Sequence, residues 1–379
     1  MQSKLPAVGT TIFTVMSQLA ADNDALNLSQ GFPDFDGPLN LRKALANAVM
    51  TGNNQYAPMI GLGSLREQIA LKLQRFYQVS CDCESEITVT PGATEALFCA
   101  IQAFINSGDE VIVFDPCYDS YEPAITLAGG VTRHLPLQLP GFAIDWDQVA
   151  STISARTRMI IINSPHNPSG ALLAEADLLN LQQLACQHDL IVLSDEVYEH
   201  LVFDGNQHRS VLQYPALRER SIAVFSFGKT FHITGWKTGY CVAPPALMAE
   251  LRKVHQFVTF VAVTPVQQAL ADFMAAEPDY PSTLANFYQA KRDQFCRELE
   301  PSRFSLVPSP GTYFQLLDYS AISDELDTEI AVRLTRDVGI ASIPISVFCE
   351  QSLPAYYLRF CFAKQAGTLT QAAKLLCEI

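Results

Sequence analysis

Five short apolar runs, at 111–114, 159–162, 190–193, 222–225 and 240–243, each stop at a polar or turn-forming residue: Asp115, Asn163, Ser194, Ser226 and Pro244 in turn. Runs this short, apolar on both faces and rich in Ile and Val, read as strands buried on both sides, and such a sheet needs helices over each face. The intervening segments supply them. Leu178, Leu179, Leu181, Leu184 and Ala185, for example, follow a helical period just before the third run. The middle of the chain is therefore expected to be an α/β fold with a mostly parallel sheet.

After about residue 285 the texture changes. A charged helical stretch at 288–299 precedes candidate strands at 304–307 and 312–317, a helix near 327–337, and short strands at 340–343 and 357–362. This irregular order predicts a smaller α+β domain at 286–379 beside a large α/β domain at 31–285. Residues 1–30 have too few apolar runs to fold alone and are expected to form an arm packed on the small domain or on a partner.

Charge narrows the function. Lys and Arg number 25 against 39 Asp and Glu, a balance of 25 − 39 = −14, with no basic cluster. Such a chain is ill suited to nucleic-acid phosphates or an anionic membrane, which leaves an enzyme acting on a small molecule as the leading class. The ten cysteines are scattered, and the one close pair, Cys81 and Cys83, lacks a second pair or a flanking histidine, so no metal site is expected. The N-terminus carries no apolar signal segment, and the most apolar stretch, 257–271, is broken by Pro265, Gln267 and Gln268. A soluble, reduced, cytoplasmic protein is the expectation.

In open α/β sheets ligands collect outside the carboxyl ends of the strands. Three runs end near chemically useful groups there: Asn167, Asp195 and Lys229. Taken singly, each reads as an ordinary turn, capping or exposed residue; their coincidence points to a site. Gly92-Ala93-Thr94 opens a helical stretch and leaves free N–H groups at its positive end, which suits a phosphate, although a Thr N-cap would look the same. Gly228-Lys229-Thr230 imitates the end of a P-loop, but Ala223 stands where a glycine is needed, and Gly61-Leu62-Gly63 continues to Arg66 at the third glycine position of a dinucleotide fingerprint. Neither an ATPase nor a nicotinamide dehydrogenase is supported.

Ser226-Phe227-Gly228-Lys229-Thr230-Phe231, followed by Thr234-Gly235-Trp236-Lys237-Thr238-Gly239, resembles the lysine signature of pyridoxal-phosphate-dependent class I/II aminotransferases. Asn163-Ser164-Pro165-His166-Asn167-Pro168, Ser194-Asp195-Glu196-Val197-Tyr198, Tyr56 with Gly61-Leu62-Gly63-Ser64-Leu65-Arg66, and Leu358-Arg359-Phe360 follow the family order. Leu28-Ser29-Gln30-Gly31-Phe32-Pro33 and Gly311-Thr312-Tyr313-Phe314 look closest to the methionine aminotransferase and kynurenine/glutamine transaminase branch. The resemblance implies a fold-type I transferase, with pyridoxal 5′-phosphate as cofactor.

It also implies roles. Lys229 would attach to the cofactor aldehyde and, once displaced, move the substrate proton; Asp195 would pair with the pyridine nitrogen. Tyr198 and Asn167 would bond the phenolic oxygen, and Tyr118 would stack on the ring. Gly92, Ala93, Thr94, Ser226 and Lys237 would hold the phosphate, joined by Tyr56 from a neighbouring subunit, which implies a homodimer with shared active sites. Arg359, with the backbone of Gly31 and with Asn167, would take the substrate carboxylate. Many relatives carry Arg where Lys237 stands, a departure that touches phosphate grip rather than chemistry.

The expected reaction is a ping-pong transfer of nitrogen from an apolar or aromatic L-amino acid, methionine first, to a 2-oxo acid. A cysteine-conjugate C–S β-lyase using the same lysine, and a catalytically silent binding or regulatory protein on the same fold, are the alternatives.

Overall fold

The computed structural model describes residues 3–350 and 356–379. Residues 1–2 of the expected arm and 351–355 of the expected small domain lie outside them. In chain order the strands are β1 (Leu26–Asn27), β2 (Ile87–Thr90), β3 (Glu110–Asp115), β4 (Val131–Pro136), β5 (Thr157–Asn163), β6 (Ile191–Asp195), β7 (Ser221–Ser226), β8 (Gly239–Val242), β9 (Phe314–Asp318), β10 (Ile340–Ala341), β11 (Ile343–Pro344) and β12 (Tyr357–Cys361).

All five apolar runs lie in one seven-stranded sheet of order β2-β8-β7-β6-β5-β3-β4. Its pairings are parallel except where β8 meets β2 and β7. The link from β7 to β8 holds only two short turns, Phe227–Thr230 and Thr234–Trp236, too little for the crossover a parallel return needs. The two edge strands, β2 and β4, have no counterpart among the apolar runs. In β4 the reason is visible: an edge strand carries Thr132, Arg133 and His134 without burying a full face.

Alternate residues of the central strands feed two cores. Ile160, Ile162, Val192 and Phe225 meet helices Gly63–Tyr77, Glu175–Gln187 and Thr264–Ala276 on one face. Met159, Ile161, Leu193 and Val224 meet helices Ala93–Phe104 and Pro245–Val258 on the other. The period of two along each strand dictates this division.

A third core gathers around the antiparallel sheet β11-β12-β9, with Tyr288, Phe295, Leu317, Leu358 and Phe360. Two expectations fail locally here. The candidate strand 304–307 makes only an isolated bridge, Ser305 to Asp318. The candidate strand 340–343 is split at Ser342, so that β10 pairs in parallel with β1 while β11 pairs with β12. Helix Ile12–Asp22 buries Met16 and Ala20, and Met16 and Leu28 join the third core.

Between the large sheet and helix Gly63–Tyr77 lies a buried ion pair, Lys72 with Glu199; the Tyr77 hydroxyl donates to Glu199, and the Lys72 ammonium donates to the Tyr240 hydroxyl at 3.0 Å. Burial lowers the Lys72 pKa, and Glu199 opposes that shift. Removing one partner strands the other charge, so Lys72→Met is expected to reduce unfolding free energy by about 3–5 kcal/mol in urea titrations. Lys72→Met with Glu199→Leu should recover most of the loss; a single variant within about 1 kcal/mol of the parent would contradict this account.

Candidate active site

Parallel register brings the strand ends level. Asn163 at the end of β5 sits beside Asp195 at the end of β6, and Asp195 beside Val224, two residues before the end of β7. Lys229 follows on the single turn Phe227–Thr230. The N-terminus of helix Ala93–Phe104 faces the same crevice, and β12 delivers Arg359 from the third core. The result is a cavity of about 210 Å³.

Gly31, Gly92, Ala93, Thr94, Tyr118, Asn167, Asp195, Tyr198, Ser226, Lys229, Lys237 and Arg359 all line this cavity. Tyr56 does not: it is 84% exposed and packs edge-on against Phe260 at 5.6 Å. Among the described residues, Phe13 and Phe314 are the phenylalanines that line the cavity, whereas Phe32 and Phe260 do not and are exposed at the surface.

Asp195 accepts from the Tyr121 hydroxyl at 2.7 Å and from the Val197 N–H at 3.3 Å. Burial raises its pKa to about 6. A carboxylate desolvated this far gains most from a cationic partner, which a protonated pyridine nitrogen provides. Burial also takes Lys229 down to about 8, and Lys237 and Arg359 push the same way. An amine in that range is a usable nucleophile and base near neutral pH.

The phosphate end also fits. No side chain caps helix Ala93–Phe104, so its first N–H groups remain free. Gly92, at φ 84°, starts it, and a Cβ there would come 3.5 Å from the Lys237 ammonium, which therefore hangs over the helix end. Lys237 itself adopts φ 48°, a strained conformation for a side-chain-bearing residue of the kind that persists at functional sites. An ammonium, a hydroxyl from Ser226 and free amides make an anion cradle.

At the other end Arg359 donates to the Asn167 side-chain oxygen at 2.8 Å and to the Ser29 carbonyl at 2.9 Å, with its guanidinium 4.0 Å over Phe314. Its buried Nε has no partner among the described residues. The Asn167 amide N–H groups stay available for an oxygen in the cavity. Gly31 must lack a side chain because a Cβ would fall 2.6 Å from the Phe314 ring.

Three contributors were not anticipated in the sequence. Tyr121 holds Asp195; its spacing three residues after Tyr118 was the available signal. Asn163 donates to the Asp195 carbonyl at 2.9 Å and accepts from the Asn167 N–H at 2.8 Å, bracing that loop. Tyr313 bonds Lys229 from 84 positions away, a separation no local pattern encodes. His166, by contrast, commits both ring nitrogens to Ser169 and the Pro116 carbonyl, and burial lowers its pKa to about 4, which suits bracing rather than acid–base work. Two groups with metal-ligand chemistry, Glu95 with Cys99 and His255 and Asp115 with Cys117 and His134, lie apart from the cavity lining. Each is knit by an internal histidine–carboxylate bond, at 2.7 Å and 2.8 Å.

The chain matches the family model for aminotransferase class I and II over residues 23–376. It is 53% identical over 378 residues to the methionine aminotransferase of Escherichia coli (strain K12), covering all of this chain and 98% of that one. A crystal structure from Escherichia coli, described as identifying a methionine aminotransferase function, superposes with a TM-score of 0.98 at 53% identity, over 100% and 99% of the two chains. Human kynurenine–oxoglutarate transaminase 3 is 32% identical over 98% of this chain and 89% of its own. A lysine, a desolvated carboxylate and an anion cradle set as that family requires, under a family match of nearly full length, make this chain a pyridoxal-phosphate-dependent enzyme of fold type I, a member of the class I and II aminotransferases.

Proposed function

We propose that this aminotransferase takes its nitrogen from an apolar or aromatic L-amino acid, methionine first, and passes it to a 2-oxo acid. The observation that carries the reading is the convergence of Lys229, Asp195 and Arg359 on one cavity whose wall includes Phe13 and Phe314. The likeness to a methionine aminotransferase over the full chain supports the first choice of donor. Among the described lining residues the cations are Lys229, Lys237 and Arg359, each with a task of its own, so a second substrate carboxylate finds no spare one.

Pyridoxal phosphate, when bound, supplies the electron sink and the carbon that carries nitrogen between the two half-reactions. Gly92, Ala93, Thr94, Ser226 and Lys237 would hold its phosphate. Asp195, kept in place by Tyr121, would hold the ring nitrogen in its protonated form, Tyr118 would stack on the ring, and Tyr198 and Asn167 would bond its phenolic oxygen. Lys229 moves the proton from the substrate Cα. Arg359, with the Gly31 backbone and Asn167, clamps the α-carboxylate through a planar fork. Lysine cannot reproduce that fork, so Arg359→Lys should lower kcat/KM for methionine about tenfold to a hundredfold, mostly through KM. Unchanged kinetics would remove Arg359 from this role.

The working unit is a homodimer. Tyr56 packs on Phe260 at the surface, and Met50, Phe257, Val258 and Val263, close to them in sequence, are also exposed apolar side chains, which suits a second copy whose phosphate Tyr56 would reach. The large domain at 31–285 carries the cofactor and the small domain at 286–379 carries Arg359, with 1–30 as an arm; most of the third core comes from residues after 285, and Met16 and Leu28 of the arm and Tyr198, Leu201 and Phe203 of the large-domain span pack into it. No described helix is long and apolar enough to cross a membrane, and the cytoplasm is the proposed compartment.

Mixing the yellow protein with single amino acids and following its visible absorbance ranks the donors directly. Methionine should discharge the colour fastest, and a 2-oxo acid should restore it. Pyruvate and ammonia released from a cysteine conjugate without added 2-oxo acid would instead identify the lyase reaction.

A further inference from the structure

Lys229 is held by a hydroxyl from the third core. Its ammonium donates to the Tyr313 hydroxyl at 2.9 Å and lies 3.4 Å from the Gly31 carbonyl oxygen. The Tyr313 hydroxyl in turn donates to that same carbonyl, which leaves its lone pairs free to accept from the amine. The amine thus sits at the head of a short ordered chain, from Nζ to a phenol to a backbone oxygen.

Tyr313 is itself fixed. Its ring is fully buried, edge-on to Tyr198 at 5.1 Å and to Phe314 at 4.9 Å. Its carbonyl accepts from the Phe362 N–H at 2.9 Å. The preceding residue, Thr312, is β-branched and adopts φ 65°, a conformation such side chains avoid. It is held there by its N–H on the Leu201 carbonyl at 2.9 Å, and its hydroxyl accepts from the Phe314 N–H at 3.1 Å. A strained residue tied down on both sides, next to one that reaches the reactive amine, is where a fold stores the cost of positioning.

We propose that Tyr313 is a positioning residue for Lys229: its hydroxyl confines the lysine amine to the place from which it attacks the cofactor aldehyde and exchanges the substrate proton. A lysine side chain has four rotatable bonds, and one directional acceptor removes much of that freedom. This rests on the role given above to Lys229.

Tyr313→Phe deletes the hydroxyl and keeps the ring packing. The single-turnover rate with methionine should fall about tenfold or more, with KM within about twofold of the parent. Deuterium at Cα should slow the variant more than the parent, because proton transfer becomes the slow step. In the cofactor-free protein, capture of added pyridoxal phosphate, read as growth of visible absorbance, should also slow severalfold. In a Lys229→Ala background rescued with methylamine, Tyr313→Phe should have no further effect, since no tethered amine remains to be placed. Unchanged half-reaction rate, isotope effect and capture rate in a folded Tyr313→Phe would overturn the proposal. So would an equal loss in the rescued background. An active Lys229→Ala without added amine would instead defeat the reading of Lys229, which keeps the two failures distinct.

Discussion

Lys229→Ala is expected to abolish turnover with every amino acid while leaving the fold in place. The side chain occupies the cavity rather than any of the three cores, so its loss removes chemistry and little packing. General-base catalysis alone contributes about 10²–10⁴-fold, and the covalent tether is lost with it, so a fall of at least about 10⁴-fold in kcat is predicted. Circular dichroism and the melting temperature should stay near the parent values. The lysine also sets a pH dependence. Burial brings it to about 8, so cofactor capture by the cofactor-free protein should rise with pH and level off above about 8, as the amine loses its proton. Residual activity within about tenfold of the parent would remove Lys229 from its assigned place.

Asp195→Asn should move activity and stability in opposite directions. An amide cannot hold a pyridinium cation, so turnover is expected to fall by about 10³-fold, comparable to other losses of a preorganised electrostatic partner. The cofactor-free protein, however, bears an unpaired carboxylate in a desolvated place. Its folded pKa of about 6 lies above the ordinary value of 3.8, chiefly through burial. Between those two values the folded state binds more protons than the unfolded one, so this group's contribution to stability falls as pH rises through that window and stays low above it. A gap of that width corresponds to a penalty on the order of 2–3 kcal/mol for keeping the carboxylate ionised in the fold. Cofactor-free Asp195→Asn should therefore be more stable than the parent at about pH 7 to 8, with the difference vanishing near about pH 4. A variant less stable than the parent at about pH 8 would contradict the assignment of burial as the cause.

Most of the large sheet was legible because a strand buried on both faces writes itself as a continuous apolar run. The edge strand β4, half exposed and polar, left no such mark, and the 340–343 stretch could not announce that its two halves pair with different partners. Pairing partners are a property of what lies alongside, not of the segment itself.

The candidate site divides in the same way. Lys229, Asp195, Asn167, Arg359 and the Gly92-Ala93-Thr94 turn were readable one at a time from residue type, strand-end position and motif. Their convergence required parallel register across β5, β6 and β7 and the delivery of Arg359 by β12. The bonds from Tyr121 to Asp195 and from Tyr313 to Lys229 join residues 74 and 84 positions apart. The sequence by itself thus showed the reaction class through the resemblance of its motifs to the class I/II aminotransferases, and the candidate reactive groups through residue type and strand-end position. Only the tertiary structure decided which groups orient them and how far burial shifts their proton affinities, because desolvation and long-range hydrogen bonds exist only once the sheets and cores have closed around the site.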